Sequence, residues 1–237
     1  MNKMMKFGIA SLLSLSLSGQ VMAAFTLSGT RFIYEEGKKN ISVDVNNTAD
    51  RTYGGQVWID NQSQASGVYM VPNPPFFKLA PKQKQIIRIM KTDGGGAALP
   101  RDRESLFWLN VQEIPPKPEK TGEPLLSIAL ATQVKLIYRP QGLSQGRKGA
   151  EMKVELAYKG NSSYLKNPTP YYFAITKVKV NGQVLKLNRG EDLAVSILAP
   201  FSEQSVAGIP AGAKSVSIEA INDWGGVETY ILKGDKG

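Results

Sequence analysis

The sequence contains neither cysteine nor histidine among its 237 residues. Without them the chain cannot form a disulfide, a histidine or thiolate metal site, or a Ser-His or Cys-His nucleophile pair. Small disulfide-linked scaffolds and most familiar hydrolytic enzymes are therefore excluded. The fold must be held together by core packing, and a chain of this length can build one large core or two ordinary ones.

Long hydrophobic runs are also scarce. Lys3 and Lys6 precede a predominantly apolar run, Phe7–Leu17, and small residues follow it up to Ala24. This order is typical of a secretory signal peptide, and the run is shorter than the ~20 apolar residues of a bilayer span. We expect residues 1–23 to be a signal peptide and the mature chain to begin at Ala24, exported, soluble and without membrane insertion.

The net charge of +9 is dispersed along the chain, and no run of five or more basic residues occurs. Proteins that bind nucleic acid or anionic membranes usually cluster their lysines and arginines. A solvated basic surface is the better interpretation, and we expect no nucleic-acid partner.

Short apolar alternations, interrupted by Gly, Pro, Asn or Asp about every 8–12 residues, predict an all-β chain. Asn181-Gly182 suits the positive φ angles of a type I′ hairpin turn. Val71–Pro75 is expected to interrupt its sheet because proline cannot donate to a ladder, and proline also permits a cis bond there. The main predicted strands are Phe25–Tyr34, Ile41–Val45, Val57–Ile59, Ile86–Met90, Leu106–Ile114, Leu125–Arg139, Met152–Tyr158, Val178–Val180, Gln183–Leu187, Leu193–Leu198, Val216–Ile221 and Val227–Leu232.

A domain boundary is predicted after Pro140. Proline ends the preceding strand, and Gln141–Gly149 is polar and rich in glycine, as linkers between domains commonly are. Residues 24–140 and 141–237 would then form two β domains, the second with about seven strands, as in an immunoglobulin-like sandwich.

The longest predicted strand, Leu125–Arg139, changes character along its length. One face is apolar apart from Thr132, whereas the other begins with small or polar residues and ends with Lys135, Ile137 and Arg139. The pattern alone favours a long central strand of a sandwich, but part of the strand facing another molecule remains the alternative. The residues of the apolar face are Leu126, Ile128, Leu130, Thr132, Val134, Leu136 and Tyr138.

Six segments together resemble the periplasmic chaperones of the chaperone-usher pathway for bacterial pilus assembly. They occur in the family's order and cover nearly all of the expected mature chain. The segments are Gly29–Tyr34, Val71–Phe76, Pro100–Val111, Lys135–Pro140, Asn167–Tyr172 and Ile221–Gly225. The resemblance implies two immunoglobulin-like β-sandwich domains joined in an L shape. The short connection Pro115–Pro124 resembles the family's short-loop branch.

The resemblance also implies a mechanism of strand addition, in which the chaperone lends a strand edge to an incomplete pilus subunit. Leu126, Ile128, Leu130 and Thr132 would be the donated side chains. The implied partners are pilus or fimbrial subunits and an outer-membrane usher in the periplasm, and the implied function requires no cofactor and no catalysis.

Two further groups of residues are assigned by the resemblance. Arg31 and Lys135 match the pair that binds the carboxylate at the subunit's C-terminus. Glu104, Arg139 and Asp223 match a set of interdomain charges. Exposed ion pairs contribute only about 0 to 1 kcal/mol, so this set is expected to orient the domains rather than to stabilise them.

Two other classes of function are weighed against a chaperone. An exported two-domain adhesin or carbohydrate-binding module would place aromatic residues on loops at one end of a sandwich. An enzyme would use a carboxylate pair such as Glu35 and Glu36, but neighbouring residues of a strand point to opposite faces and would not converge on a substrate. The aromatic residues available to the adhesin are Tyr53, Tyr69, Tyr164, Tyr171 and Tyr172.

Overall fold

A computed structural model describes residues 23–62, 67–96, 98–117, 128–160 and 162–234. Residues 1–22 of the expected signal peptide, and Leu126, lie outside the described residues. The strands in the first part of the chain are β1 (Phe25–Leu27), β2 (Arg31–Glu35), β3 (Ile41–Asn47), β4 (Tyr53–Asn61), β5 (Met70–Asn73), β6 (Phe76–Leu79), β7 (Lys84–Lys91), β8 (Ser105–Ile114) and β9 (Ala131–Arg139).

These strands form a sandwich of two sheets. One sheet has the order β1-β3-β7-β5, and the other has the order β2-β9-β8-β4-β6. Alternate apolar residues of both sheets, such as Val43, Ile87, Leu109 and Leu136, are fully buried between them. The period-2 pattern read from the sequence is the pattern of this core.

The predicted first strand, Phe25–Tyr34, is wrong as a single element. The chain forms β1 in one sheet and then crosses at Ser28–Thr30 to form β2 in the other sheet. The segment Val71–Pro75 does not simply interrupt a sheet either. Pro72 lies inside β5, which is an edge strand where a missing donor is tolerated, and the Asn73–Pro74 bond is cis.

A second hydrophobic core lies between residues 150 and 232. Its sheets have the orders β14-β11-β10-β17 and β13-β12-β15-β16. Asn181 and Gly182 both have positive φ angles in the turn between β12 and β13, as predicted. The strands are β10 (Glu155–Lys159), β11 (Ser162–Asn167), β12 (Ile175–Val180), β13 (Gln183–Val184), β14 (Ser202–Ser205), β15 (Val216–Ile221), β16 (Val227–Ile231) and β17 (Lys233–Gly234).

Two predicted strands of this part of the chain are corrected. Leu193–Leu198 is not a strand, because an α-helix, α1 (Arg189–Ser196), occupies most of it. Asn188 caps this helix and Glu191 bonds back to the Asn188 backbone, which is a complete capping box. Met152–Tyr158 begins instead as a short 3-10 helix, Ala150–Lys153, before β10 starts.

The pairing of β9 sets the geometry of the site. β9 pairs with the antiparallel β8 from Ala131 to Tyr138, but with the parallel β2 only from Lys135 to Arg139. The edge of β9 that pairs with β2 from Lys135 onward is open at Ala131–Val134. No strand of the described residues pairs with it there. No helix in the described part of the chain has both the length and the apolar character of a membrane span.

Candidate functional site

An uncovered apolar row leads into β9. Ile128 and Leu130 are 57% and 36% exposed, and Thr132 is half-buried. They continue the alternation of Val134, Leu136 and Tyr138, which pack into the first core. The apolar row therefore extends past the core at the point where one edge of the strand is open.

Arg31 and Lys135 lie side by side where β2 joins this edge. They are direct partners in the parallel pairing of β2 and β9. The Arg31 side chain crosses to the second domain, where its Nη1 atom donates a hydrogen bond to the Ile221 carbonyl oxygen at 2.7 Å. The two cations therefore lie at the domain junction.

These two cations have no acidic partner within a salt-bridge distance among the described residues. Burial lowers the pKa of Lys135, and the neighbouring Arg31 charge lowers it further. Burial also lowers the pKa of Arg31. The pair thus presents two partly desolvated positive charges at the end of the open strand edge, an arrangement suited to an anion.

Arg139 lies four residues further along β9 and is surrounded by acids. Its Nε atom donates to Glu104 Oε1 and its Nη1 atom donates to Asp223 Oδ2, both at 2.7 Å. The side chains of Glu104 and Arg139 are 0% and 5% exposed. The expectation of exposed ion pairs was therefore wrong, because the two domains pack around these charges and exclude water from them.

Arg147 and Glu151 enlarge this cluster, and sequence reasoning missed both. Arg147 makes a bidentate pair with Glu151 at 2.9 and 2.7 Å, and its Nε atom lies 3.3 Å from Asp223 Oδ1. The i, i+4 spacing of the two residues was the available signal. It was missed because Gln141–Gly149, which contains Arg147, was interpreted as a polar, glycine-rich boundary between the domains.

Main-chain contacts also join the domains at Glu104. Its backbone N–H donates to the Pro170 carbonyl oxygen at 2.9 Å, and its side chain accepts a hydrogen bond from the Tyr172 N–H at 2.8 Å. Burial raises the pKa of Glu104, and the Arg139 charge opposes that rise. Glu104 is therefore fixed by both domains at once.

Several of the residues proposed for the alternative functions are engaged elsewhere. Tyr69 and Tyr171 are buried in the two cores and offer no face to a sugar. Glu35 pairs with Lys38 at 2.8 Å, and Glu36 accepts a hydrogen bond from the Gln141 N–H at 3.0 Å. This geometry does not favour a carbohydrate-binding module or a carboxylate-pair enzyme.

Residues 24–144 match the family model of the PapD N-terminal domain, described as a pili and flagellar-assembly chaperone. Residues 149–232 match the model of the C-terminal domain of the pili assembly chaperone PapD. The chain belongs to the family of pili assembly chaperones. The resemblance seen in the sequence motifs and the expected all-β fold of two immunoglobulin-like domains are thus confirmed, and the adhesin alternative is not favoured.

Several proteins similar to this chain are also named as chaperones. The Escherichia coli chaperone protein FanE is 44% identical over 92% of this chain and 94% of its own length. Chaperone protein FimC of Escherichia coli K12 is 34% identical over 92% of this chain and 87% of its own. In the structure of the Salmonella enterica SafA pilin in complex with the SafB chaperone, a chain matches with a TM-score of 0.75 and 25% identity, covering 90% of this chain and 99% of that one.

Proposed function

We propose that this chaperone binds pilus subunits in the periplasm by adding the open edge of β9 to them. The proposal depends on the pairing of β9, which has a neighbouring strand on both edges over only part of its length. β2 covers the strand only from Lys135 onward, so the preceding residues offer both an unpaired main-chain edge and exposed apolar side chains.

The open edge and the apolar row act together in strand addition. Main-chain hydrogen bonds along the edge give affinity, and alternate side chains entering pockets give specificity. Ile128, Leu130 and Thr132, with Leu126 before them, would fill an apolar groove in the subunit. Full burial of one large aliphatic side chain contributes about 1.5 to 3 kcal/mol, so the row supplies much of the binding free energy.

Arg31 and Lys135 would bind the carboxylate at the subunit's C-terminus. That anion has a fixed place in the subunit sequence, so clamping it fixes the register of the added strand. A slip of one residue would turn the apolar row away from the groove. Hydrogen bonds between ionised groups are about twice as strong as neutral ones, and the arginine can offer two parallel donors.

The buried cluster of Arg139 would hold the two domains at the angle that this clamp requires. Glu104 and Asp223 contact the same guanidinium from different parts of the chain, which ties the second domain to β9. The loaded chaperone would deliver its subunit to an outer-membrane usher, without cofactor or catalysis. The complex of a related chaperone with the SafA pilin supports a subunit as the partner.

Replacement of Ile128 by aspartate tests the donated strand. Ile128→Asp places an unpaired carboxylate in an apolar groove, a penalty larger than the lost burial alone. We expect subunits to disappear from the material that co-purifies with the chaperone from a periplasmic extract. The thermal unfolding of the free chaperone should remain unchanged, because Ile128 is exposed.

Val184→Asp is the matched control. Val184 is 58% exposed, nearly as much as Ile128, but it lies on β13 of the second domain. This variant should recover subunits normally. Full recovery with Ile128→Asp would contradict the donated strand, and loss of the chaperone's own unfolding transition would show that Ile128 belongs to the core.

A further inference from the structure

Trp108 occupies a special place beside the cationic pair. The register of the sheet aligns Arg31 on β2, Lys135 on β9, Trp108 on β8 and Asp60 on β4 as successive direct partners. Directly paired residues of neighbouring strands share one face of a sheet. The four side chains therefore form a row that runs from the domain junction across the sheet.

The Lys135 ammonium lies against the ring of Trp108. Its Nζ atom is 5.7 Å from the ring centroid, within the distance at which an aromatic face attracts a cation. The charged neighbour on the other side is Arg31, which carries the same sign. Trp108 is thus the group in this row that favours the charged form of Lys135 without neutralising it.

Asp60 is the acid of the row, but Trp108 stands between it and Lys135. One oxygen of Asp60 is already used, because Oδ2 accepts hydrogen bonds from Trp58 Nε1 at 3.1 Å and from Asn110 Nδ2 at 2.9 Å. These donors are neutral and hold the carboxylate on its own side of the row. The lysine is therefore kept away from the residue that would pair with it.

The indole itself is fixed. Its Nε1 atom donates a hydrogen bond to Gln62 Oε1 at 2.5 Å, and its backbone lies within β8, between β9 and β4. A fixed ring offers the same face to Lys135 whether or not a subunit is bound. Preorganisation of this kind reduces the entropy lost on binding.

We propose that Trp108 is a positioning residue for the carboxylate clamp: its ring holds the Lys135 ammonium in place and separates it from Asp60, so that the charge stays available to a subunit's C-terminus. The inference rests on the proposed function. A flat, polarisable ring is needed, because an aliphatic side chain of similar bulk fills the space but has no attraction for the ammonium.

The test measures preference for a free carboxylate rather than affinity alone. The probes are two synthetic peptides with the C-terminal strand of a pilus subunit that co-purifies with the wild-type chaperone, one ending in a carboxylate and the other in an amide. We expect the wild-type chaperone to bind the acid at least tenfold more tightly. The ratio should fall several-fold in Trp108→Leu, remain close to wild type in Trp108→Phe, and approach one in Lys135→Ala.

Tyr164→Leu is the matched control, since Tyr164 makes a similar contact with a lysine, with Lys159 Nζ 5.0 Å from its ring centroid, but lies on β11 of the second domain. Its ratio should equal that of the wild type. If Trp108→Leu does not fold, Trp108→Met gives the same contrast with Trp108→Phe. An unchanged ratio in the leucine or methionine variant, together with a lost ratio in Lys135→Ala, would overturn the role of Trp108 alone. A wild-type chaperone without any preference would overturn the clamp itself.

Discussion

Lys135 and Arg139 lie on the same strand and, by their spacing, on the same face, yet they have opposite surroundings. Arg139 is enclosed by two carboxylates at 2.7 Å, whereas Lys135 has a second cation and an aromatic ring beside it. Residue type and strand position do not separate the two. The difference is that neighbouring segments place carboxylates beside Arg139 and none beside Lys135 among the described residues. The first charge joins the domains, and the second is left available to a ligand.

The two arrangements have different energetic consequences. A buried cation that is hydrogen-bonded to acids has little net effect on stability. Removing one partner, however, leaves the other charge buried and unpaired. An unpaired, partly buried cation costs desolvation energy in the free protein. That cost is recovered when an anion arrives, which is why sites that oppose local stability so often bind ligands.

The largest effect, on the free energy of unfolding, should come from removing one partner of the buried Glu104–Arg139 pair. Glu104→Ala leaves the buried Arg139 with one acid fewer, and the loss of one partner of a buried pair destabilises by about 3 to 5 kcal/mol. We expect urea to unfold this variant at a distinctly lower concentration. Arg139→Ala should behave similarly, since it strands Glu104 instead.

The exposed pair of Glu155 and Lys166 provides the control. Their charged atoms are 3.1 Å apart, and both side chains are about half exposed. Glu155→Ala should lower the free energy of unfolding by no more than about 1 kcal/mol. Equal losses in Glu104→Ala and Glu155→Ala would show that burial of the cluster adds nothing.

Removing Arg31 or Lys135, which have no acidic partner in the described part of the chain, should weaken subunit binding rather than the stability of the fold. On the proposed function, Arg31→Ala and Lys135→Ala would each remove a hydrogen bond to the subunit's carboxylate, worth about 1.5 to 3 kcal/mol, so subunit affinity should fall tenfold or more. The melting temperature of Lys135→Ala should stay level or rise, because a desolvated charge is removed. The measurements are subunit recovery from the periplasm and thermal unfolding of each variant.

Lys179→Ala is the control for these variants, because Lys179 lies in the second domain and pairs with Glu219 at 2.5 Å. It should recover subunits normally. Normal recovery with both Arg31→Ala and Lys135→Ala would remove the clamp from the proposed function. A loss of recovery that follows a loss of stability would instead assign the two residues to folding.

A smaller effect is expected from giving Lys135 an acid of its own. Gln133 lies two residues before Lys135 on the same face. Gln133→Glu should weaken subunit binding a few-fold, because the new carboxylate competes with that of the subunit. Gln112→Glu adds the same charge opposite Ala131, about 13 Å from Lys135 along the strand, where salt screens most of it. Equal effects of the two variants would mean that only net charge matters.

The smallest effect is a dependence on pH. The pKa of Lys135 is lowered by burial and by Arg31 from the ordinary value of 10.5, so the free chaperone loses this proton as the pH rises towards that value. A bound carboxylate favours the protonated form, and affinity should therefore decline over this range. Lys135→Arg should flatten the decline, because arginine stays protonated. An equally steep decline in Lys135→Arg would assign the titration to another group.

Periodicity predicted the parts of this fold that depend on alternation. Residues such as Ile41, Val43 and Val45 mark a strand because one face of it is buried. The same rule failed at Leu193–Leu198, where six residues are too few to separate a strand from a short helix, and where the capping pair Asn188 and Glu191 carried the decisive signal. It also failed at Ser28–Thr30, because a crossing between sheets leaves the apolar pattern intact.

The candidate site was only partly accessible from the sequence. The family motifs pointed to Arg31 and Lys135, but their direct pairing depends on the parallel register of β2 and β9, which periodicity does not contain. The burial of Glu104 and the contribution of Arg147 depend on how the domains pack. The predicted linker Gln141–Gly149 contributes a buried charge, Arg147, which pairs with the buried Glu151 just beyond it.

The junction of β2 with β9 has a geometric consequence of its own. A subunit strand whose carboxylate reaches Lys135 must run parallel to β9, on the same edge and in the same direction as β2. The incoming strand and β2 would then lie end to end along the same edge of β9, and Arg31 would lie where they meet. A chain that continued straight past this point would collide with β2, so the proposed site would favour a segment that terminates there. On the proposed function, a subunit's chain end would thus be selected by where the chain stops as well as by its charge.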